Sequence, residues 1–237
     1  MPNSTPRSLD SMSPETAAFY SMSTDRALKR IKERGVEIQS VIDVGASNGM
    51  WSAVCETHFP TARYLLVEAQ RVHLAELQRY CEERRNAEFT ISAAGDTVGF
   101  VYFDDSTPFG GVASKEKTKY ARTEVRQTTL DAEVRARSLS GPYLVKLDTH
   151  GYELPILQGS CEQVLPNCGL LVVETYNFNI LPSSLRFEEM VTHMRQLGFG
   201  VIDVSEPLWR ERDASLWQFD LFFIPLSRPE FSVNTYL

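Results

Sequence analysis

A doubly wound α/β fold, a largely parallel sheet between layers of helices, is what this sequence predicts, on the strength of three stretches. The first is Val41-Ile42-Asp43-Val44-Gly45-Ala46-Ser47-Asn48-Gly49, an apolar β-branched run that breaks into a small-residue turn and leads into the helix-like Met50-Trp51-Ser52-Ala53-Val54-Cys55. The second is Tyr64-Leu65-Leu66-Val67, closed by Glu68. The third is the run from Tyr143 to Asp148, followed by a polar turn and a helix containing Leu154, Ile156 and Leu157. Strands that are apolar on both faces belong to parallel sheets covered on both sides.

Composition sets the bounds. The 237 residues suit one globular domain, taken as residues 23–237, behind a flexible Ser-, Pro- and Met-rich arm over residues 1–22. A formal charge of −7 argues against a non-specific nucleic-acid binder, which needs a basic face. No apolar run reaches membrane-spanning length, and no charged-then-apolar pattern opens the chain. Cys55, Cys81, Cys161 and Cys168 have no C-x-x-C spacing, so they read as reduced thiols of a cytoplasmic protein without a zinc site.

The glycine turn narrows the ligand. Gly45 and Gly49 permit positive φ and close approach of a ligand to the backbone, and the helix that follows presents unpaired N–H groups. A dinucleotide fingerprint needs G-x-G-x-x-G, but Ser47 and Met50 occupy the second and third glycine positions. A P-loop needs a Gly-Lys pair, which is lacking here. What remains suits a nucleoside joined to an amino-acid zwitterion with no phosphate, such as S-adenosylmethionine. Asp43 would face the turn amides and, directly or through water, the ammonium group. The alternative is an ordinary β–α turn.

The elements follow in order. Thr24-Asp25 caps a short helix that stops at Gly35. The helix after Gly49 ends near His58, ahead of Pro60. Glu68, about 20 residues beyond the glycine turn, stands where a carboxylate meets a ribose; otherwise it is a solvated helix cap. Arg71 to Asn86 is an amphipathic helix with Val72, Leu74, Leu77 and Tyr80 among its apolar positions, and Phe89 to Ala94 is the third strand. Ala93 and Ala94 leave room for an adenine. Gly99 to Asp104 and Thr123 to Gln127 read as strands around an irregular stretch, residues 105–122, where Phe109-Gly110-Gly111 either covers the cofactor or is plain surface. Thr129-Leu130-Asp131 starts a helix that stops at Gly141-Pro142.

Asp148 then stands at the carboxyl end of a strand, where open α/β sheets bind ligands. His150 is a candidate general base. Gly151 permits the turn, and Glu153 at the next helix start is favoured by the dipole even without chemistry to do. Lys146, inside a strand, calls for a buried acid: Asp43, Glu68 or Glu174. Gly169 to Glu174 is a further strand, and Tyr176-Asn177-Phe178-Asn179 can line an acceptor pocket. Ser184 caps a helix, Val201–Val204 and Phe219–Ile224 close the sheet as an antiparallel pair, and Leu208 to Asp213 is a loop between them.

Together these stretches resemble the FkbM family of S-adenosylmethionine-dependent methyltransferases over roughly residues 40–205. The resemblance rests on Asp43-Val44-Gly45-Ala46, Val67-Glu68, Thr129-Leu130-Asp131, Val173-Glu174 and, most specifically, Lys146-x-Asp148-x-x-Gly151-x-Glu153 followed by Leu157-x-Gly159. It implies a Rossmann-like class I methyltransferase fold with a seven-stranded, mostly parallel sheet, one antiparallel strand, and helices on both faces. It implies O-methylation of a hydroxyl on a sugar, glycan or natural product, a small-molecule or glycan acceptor being the expected partner. Carried onto this chain, Asp43, Gly45 and Ser47 would hold the methionine end and Glu68 the ribose, with Ala46, Gly49, Ala69 and Ala94 also at the cofactor. Asp148, with Lys146 and His150, would lie at the transfer centre. The chain departs from the family's commonest pattern at His150, where Glu or Gln is more usual, so this residue is either the base or a shaper of the turn.

Two other classes remain open to test. A catalytically silent relative would keep the cofactor residues and bind cofactor or a partner without transfer. A metal-assisted enzyme would require Asp148, His150 and Glu174 to converge; the sequence itself expects no resident metal. A nicotinamide oxidoreductase is opposed by the missing glycines.

Overall fold

The computed structural model describes residues 21–236. Of the arm expected over 1–22, residues 1–20 lie outside that range; the Met22 carbonyl accepts the Glu206 N–H at 2.7 Å.

The chain opens with α1 (Thr24–Glu33), β1 (Ser40–Val44), α2 (Met50–His58), β2 (Arg63–Glu68), α3 (Leu74–Glu82) and β3 (Ala87–Ile91). There follow β4 (Ala93–Ala94), β5 (Gly99–Asp104), β6 (Val112–Ser114), β7 (Thr123–Thr128) and α4 (Leu130–Ala136). The last elements are β8 (Tyr143–Leu147), α5 (Glu153–Gln158), β9 (Cys168–Tyr176), α6 (Phe187–Gln196), β10 (Phe199–Trp209) and β11 (Leu216–Pro225).

Seven strands form one sheet in the order β10-β11-β9-β8-β1-β2-β3. Only β11 runs against its neighbours, so the expected seven-stranded sheet with one antiparallel strand is what the chain forms. Side chains alternate between faces along a strand, and the core divides accordingly. Val41, Leu66, Leu144 and Val172 pack with Leu28 and Leu77 on one face. Ile42, Val67, Val145 and Leu147 pack with Leu130 and Met190 on the other. The chain leaves β3 at one edge and returns at β8, beside β1. That reversal of direction opens a crevice at the strands' carboxyl ends. A second, four-stranded sheet, β4-β7-β5-β6, is built from the intervening segment.

Several local expectations are corrected. The expected third strand divides: β3 stays in the large sheet, whereas Ala93 and Ala94 pair with Gln127 and Thr128 in the small one. The irregular stretch contains β6, paired with β5. Ser23, not Thr24, caps α1, its hydroxyl accepting the Arg26 N–H at 3.3 Å. A 3-10 turn over Arg71–His73 precedes α3 and leaves Val72 exposed. Arg186 caps α6, while Ser184 closes a turn with Leu181. Helix α4 ends at Ala136, short of Gly141. Leu208 and Trp209 belong to β10 rather than to a loop. All four cysteines are free, and among the described residues no helix is long and apolar enough to cross a membrane.

The residues that carry the family resemblance between 129 and 159 have structural work to do. Buried Asp131 accepts the backbone N–H groups of Glu162, Gln163 and Val164 at 2.8 to 3.0 Å, tying α4 to the loop beyond α5. Glu153 accepts Gly151 N–H at 2.9 Å and Thr149 Oγ1 at 3.1 Å, which locks the turn after β8. Gly159 lets the end of α5 meet the turn after β4: a Cβ there would lie 2.0 Å from the Gly95 carbonyl oxygen. Gly159→Ala is therefore expected to cost about 1–3 kcal/mol by overpacking, read from urea unfolding; an unchanged midpoint would contradict the close approach.

Candidate functional site

A cavity of about 360 Å³ lies over the crevice. The turn after β1 contributes Gly45 and Ser47; the end of β2 and the turn beyond it contribute Glu68, Ala69 and Gln70; β4 contributes Ala94. Asp148, Thr149 and His150 follow β8, with Glu174 from β9 and Gln218 from β11 beside them. The small sheet and its loop close the top with Phe103, Pro108, Phe109 and Gly111. Three strand steps, β2 to β9, make the crevice roughly 14 Å across at the usual strand spacing.

Of the residues expected at the site, Gly45, Ser47, Glu68, Ala69, Ala94, Asp148 and His150 line this cavity. Asp43, Ala46, Gly49 and Lys146 do not. Asp43 departs most from expectation. Strand alternation puts it opposite Ile42 and Val44, on the face covered by α2. There it is fully buried and accepts Ser52 Oγ at 2.7 Å, its other oxygen having no hydrogen-bond partner. Burial raises its pKa.

The β1–β2 corner is held by one carboxylate. Glu68 Oε2 accepts Ser47 N–H at 2.8 Å and Oε1 accepts Gln70 N–H at 2.7 Å. Ser47 sits in the left-handed region at φ 50°, between Gly45 at 76° and Gly49 at 81°. A carboxylate has about four acceptor sites, so Glu68 keeps capacity for hydroxyl donors from the cavity. Burial nevertheless pushes its pKa up. The loop above is pinned through the Pro108 carbonyl, which accepts from Gln70 Nε2 at 3.1 Å and His73 Nε2 at 2.8 Å. Phe109 and Gly111 thereby line the cavity, Phe109 while staying largely exposed.

The β8–β9 corner is acidic. Lys146 Nζ donates to Asp148 Oδ2 at 2.6 Å, so the lysine's direct partner is Asp148, not one of the three acids expected from sequence. Asp43 is its register neighbour on β1. Burial works against the ammonium, but Asp148, Asp43 and Asp220 outweigh it and raise the Lys146 pKa. Burial likewise works to raise Asp148, and Lys146 and His150 prevail, holding it below the usual carboxylate range. His150 Nε2 stands 3.7 Å from Asp148 Oδ1 and 3.8 Å from Glu174 Oε2. Burial, then repulsion from Asp148, pushes Glu174 up to about 9. Glu174 also accepts from the Tyr176 hydroxyl and from Gln218 Nε2. Gln218 was not legible in the sequence, because its place beside β9 depends on the register of the inserted antiparallel strand. Gln70, Thr149 and Tyr152 were missed as well, although each adjoins or lies within a motif already singled out.

The Methyltransferase FkbM domain model matches residues 43–201. The chain belongs to the FkbM methyltransferase family. The family's methyl donor is S-adenosylmethionine. Among solved structures, methyltransferase FkbM from Methylobacillus flagellatus KT is similar at 15% identity and a TM-score of 0.49, over 77% of this chain and 43% of that one. This chain thus spans less than half of that protein's length. Precorrin-6y C5,15-methyltransferase from Geobacter metallireducens GS-15 is similar at 9% identity and a TM-score of 0.46, over 86% and 91% of the two chains. Fibrillarin from Aeropyrum pernix, solved with natively bound S-adenosyl-L-methionine, is similar at 11% identity and a TM-score of 0.48, over 87% and 76%. A search of curated proteins returned no match.

The cavity's chemistry fits the family's methyl donor. A carboxylate with acceptor sites to spare stands at one corner, small alanines flank it, and the Tyr152 hydroxyl on the wall is buried without a hydrogen-bond partner.

The buried acids also set a pH response. Burial, then Asp148 and Glu206 against the opposing pull of Lys146, leaves Asp220 at about 6, above its ordinary 3.8. A raised carboxyl stabilises the fold fully below pH 3.8 and loses that contribution as pH climbs through about 6. Asp220→Asn should remove this slope, on the order of 2 kcal/mol between pH 4 and 7, when urea unfolding of the two proteins is compared in EDTA. Parallel stability–pH curves would contradict the assignment.

Proposed function

We infer that this chain transfers the methyl group of S-adenosylmethionine to a hydroxyl of a small-molecule or glycan acceptor. The observation that carries the reading is one cavity joining two unlike corners: the Glu68–Ser47 corner and the Asp148–His150–Glu174 corner. Glu68 accepts from the ribose hydroxyls, the Gly45–Ser47 turn takes the methionine end, and Ala69 and Ala94 leave a slot for the adenine. The cofactor's sulfonium supplies a methyl group with a good leaving group attached, so alignment is the main demand on the protein. Pro108 and Phe109 flank the cavity on the side of the small sheet.

His150 Nε2 accepts the proton of the acceptor hydroxyl. It faces the cavity, and Asp148, held ionised by Lys146, stabilises the imidazolium that results. Asp148 itself is the poorer base for the same reason: a depressed pKa means weak proton affinity.

Titration calorimetry with S-adenosylmethionine should show saturable binding, weakened at least tenfold in Glu68→Gln with circular dichroism unchanged. Transfer of labelled methyl to a panel of sugars and hydroxylated small molecules should find an acceptor, and His150→Ala should lower its turnover by about 10²–10⁴-fold, the usual contribution of a positioned base. Binding without transfer to any acceptor would favour a silent relative. A His150→Ala rate equal to that of the parent at every pH would remove His150 from proton transfer.

A further inference from the structure

The geometry points to a divalent-cation site formed by Asp148, His150 and Glu174. Each offers one ligand atom, and the three atoms lie within 4.8 Å of one another. Two of the separations are 3.7 and 3.8 Å. Atoms that share one ion at roughly 2.0–2.2 Å stand about 3–4 Å apart, so only small side-chain movements separate this arrangement from coordination.

Three further observations set it apart from a chance gathering of acids. First, the supporting bonds leave the inward atoms unoccupied or shared. Lys146 holds Asp148 by Oδ2 and leaves Oδ1 toward His150. Gln218 takes Glu174 Oε1, while Oε2, shared with Tyr176, faces His150. Partners of this kind orient metal ligands. Second, His150 is held at φ 53°, a left-handed conformation costly for a residue with a Cβ, and Gly151 follows at 101°. Glu153 locks that turn by accepting the Gly151 N–H, and the imidazole is thereby kept between the two carboxyls. Third, all three residues line the cavity. A bound ion would keep positions open toward the acceptor, as catalytic sites do and closed structural sites do not.

Two carboxylates and one imidazole make an oxygen-rich set, which suits Mn²⁺. The role of the ion rests on the methyl-transfer reading; its ligands do not. A cation here draws the acceptor hydroxyl into the corner and eases loss of its proton. The O–H bond breaks with the proton passing to solvent, a new O–CH₃ bond forms, and the S–CH₃ bond breaks with its electron pair left on sulfur. With the ion bound His150 serves as a ligand; in the metal-free protein it remains the acceptor of that proton.

The test uses the full chain, stripped with EDTA and titrated with Mn²⁺ while the signal of free Mn²⁺ is followed by electron paramagnetic resonance. About one equivalent should bind saturably. Glu174→Gln and His150→Ala should each weaken binding at least tenfold, with S-adenosylmethionine affinity changed less than twofold. Glu68→Gln should do the reverse, losing cofactor and keeping Mn²⁺. Absence of saturable Mn²⁺ binding, or binding equally strong in Glu174→Gln, overturns the site and leaves the methyltransferase reading standing. Mn²⁺ binding in a protein that takes no S-adenosylmethionine supports the site and overturns that reading alone.

Discussion

A buried ammonium group in the middle of a parallel sheet is the constraint around which the rest of this molecule is arranged. Lys146 is 5% exposed, and an unpaired charge at such a place would cost several kcal/mol. Strand alternation and register supply the pairing. Asp43 lies beside Lys146 on β1, Asp148 two residues further along the chain just past the end of β8, and Val172, two residues before Glu174, beside it on β9. Asp220 faces Glu174 across β11. Four carboxyl groups therefore share one face of the sheet with one lysine. The lysine keeps Asp148 ionised at the cavity wall, whereas Glu174, farther from it and better buried, is pushed toward its neutral form. The lysine sets the state of Asp148, while burial and the neighbouring Asp148 set that of Glu174.

The other corner depends on a smaller device of the same kind. Glu68 bridges the turn after β1 and the turn after β2 through two backbone amides. It fixes the shape of the pocket by the same atoms that remain able to accept from a ligand. Fold and site are coupled here: the glycine turn takes its left-handed path because a carboxylate one strand away holds Ser47. The pinned Pro108 loop then roofs the space between the corners.

Much of this was legible in the residues. Apolar runs gave the strands of the large sheet, the failed dinucleotide fingerprint turned the ligand toward an adenosine without phosphate, and Glu68 marked the end of β2. The run from Lys146 to Glu153 showed polar groups gathered at a strand end. What stayed hidden depends on long-range register. Nothing local says that Gln218 will sit on Glu174, that Ala93 will leave the main sheet for the small one, or that Asp43 will turn under α2. Glu153, Asp131 and Gly159 carry the family resemblance, and their contacts are structural: they lock turns and allow close approach of one turn to another.

The coupling between Lys146 and Asp148 tests this account most directly. A double-mutant cycle with Lys146→Met, Asp148→Asn and the pair, followed by urea unfolding at pH 7, measures it. The account predicts a coupling of about 1–3 kcal/mol, the range for contacting residues in one ion-pair network. Additivity within about 0.3 kcal/mol would mean that the buried lysine does not organise the carboxyl groups around it.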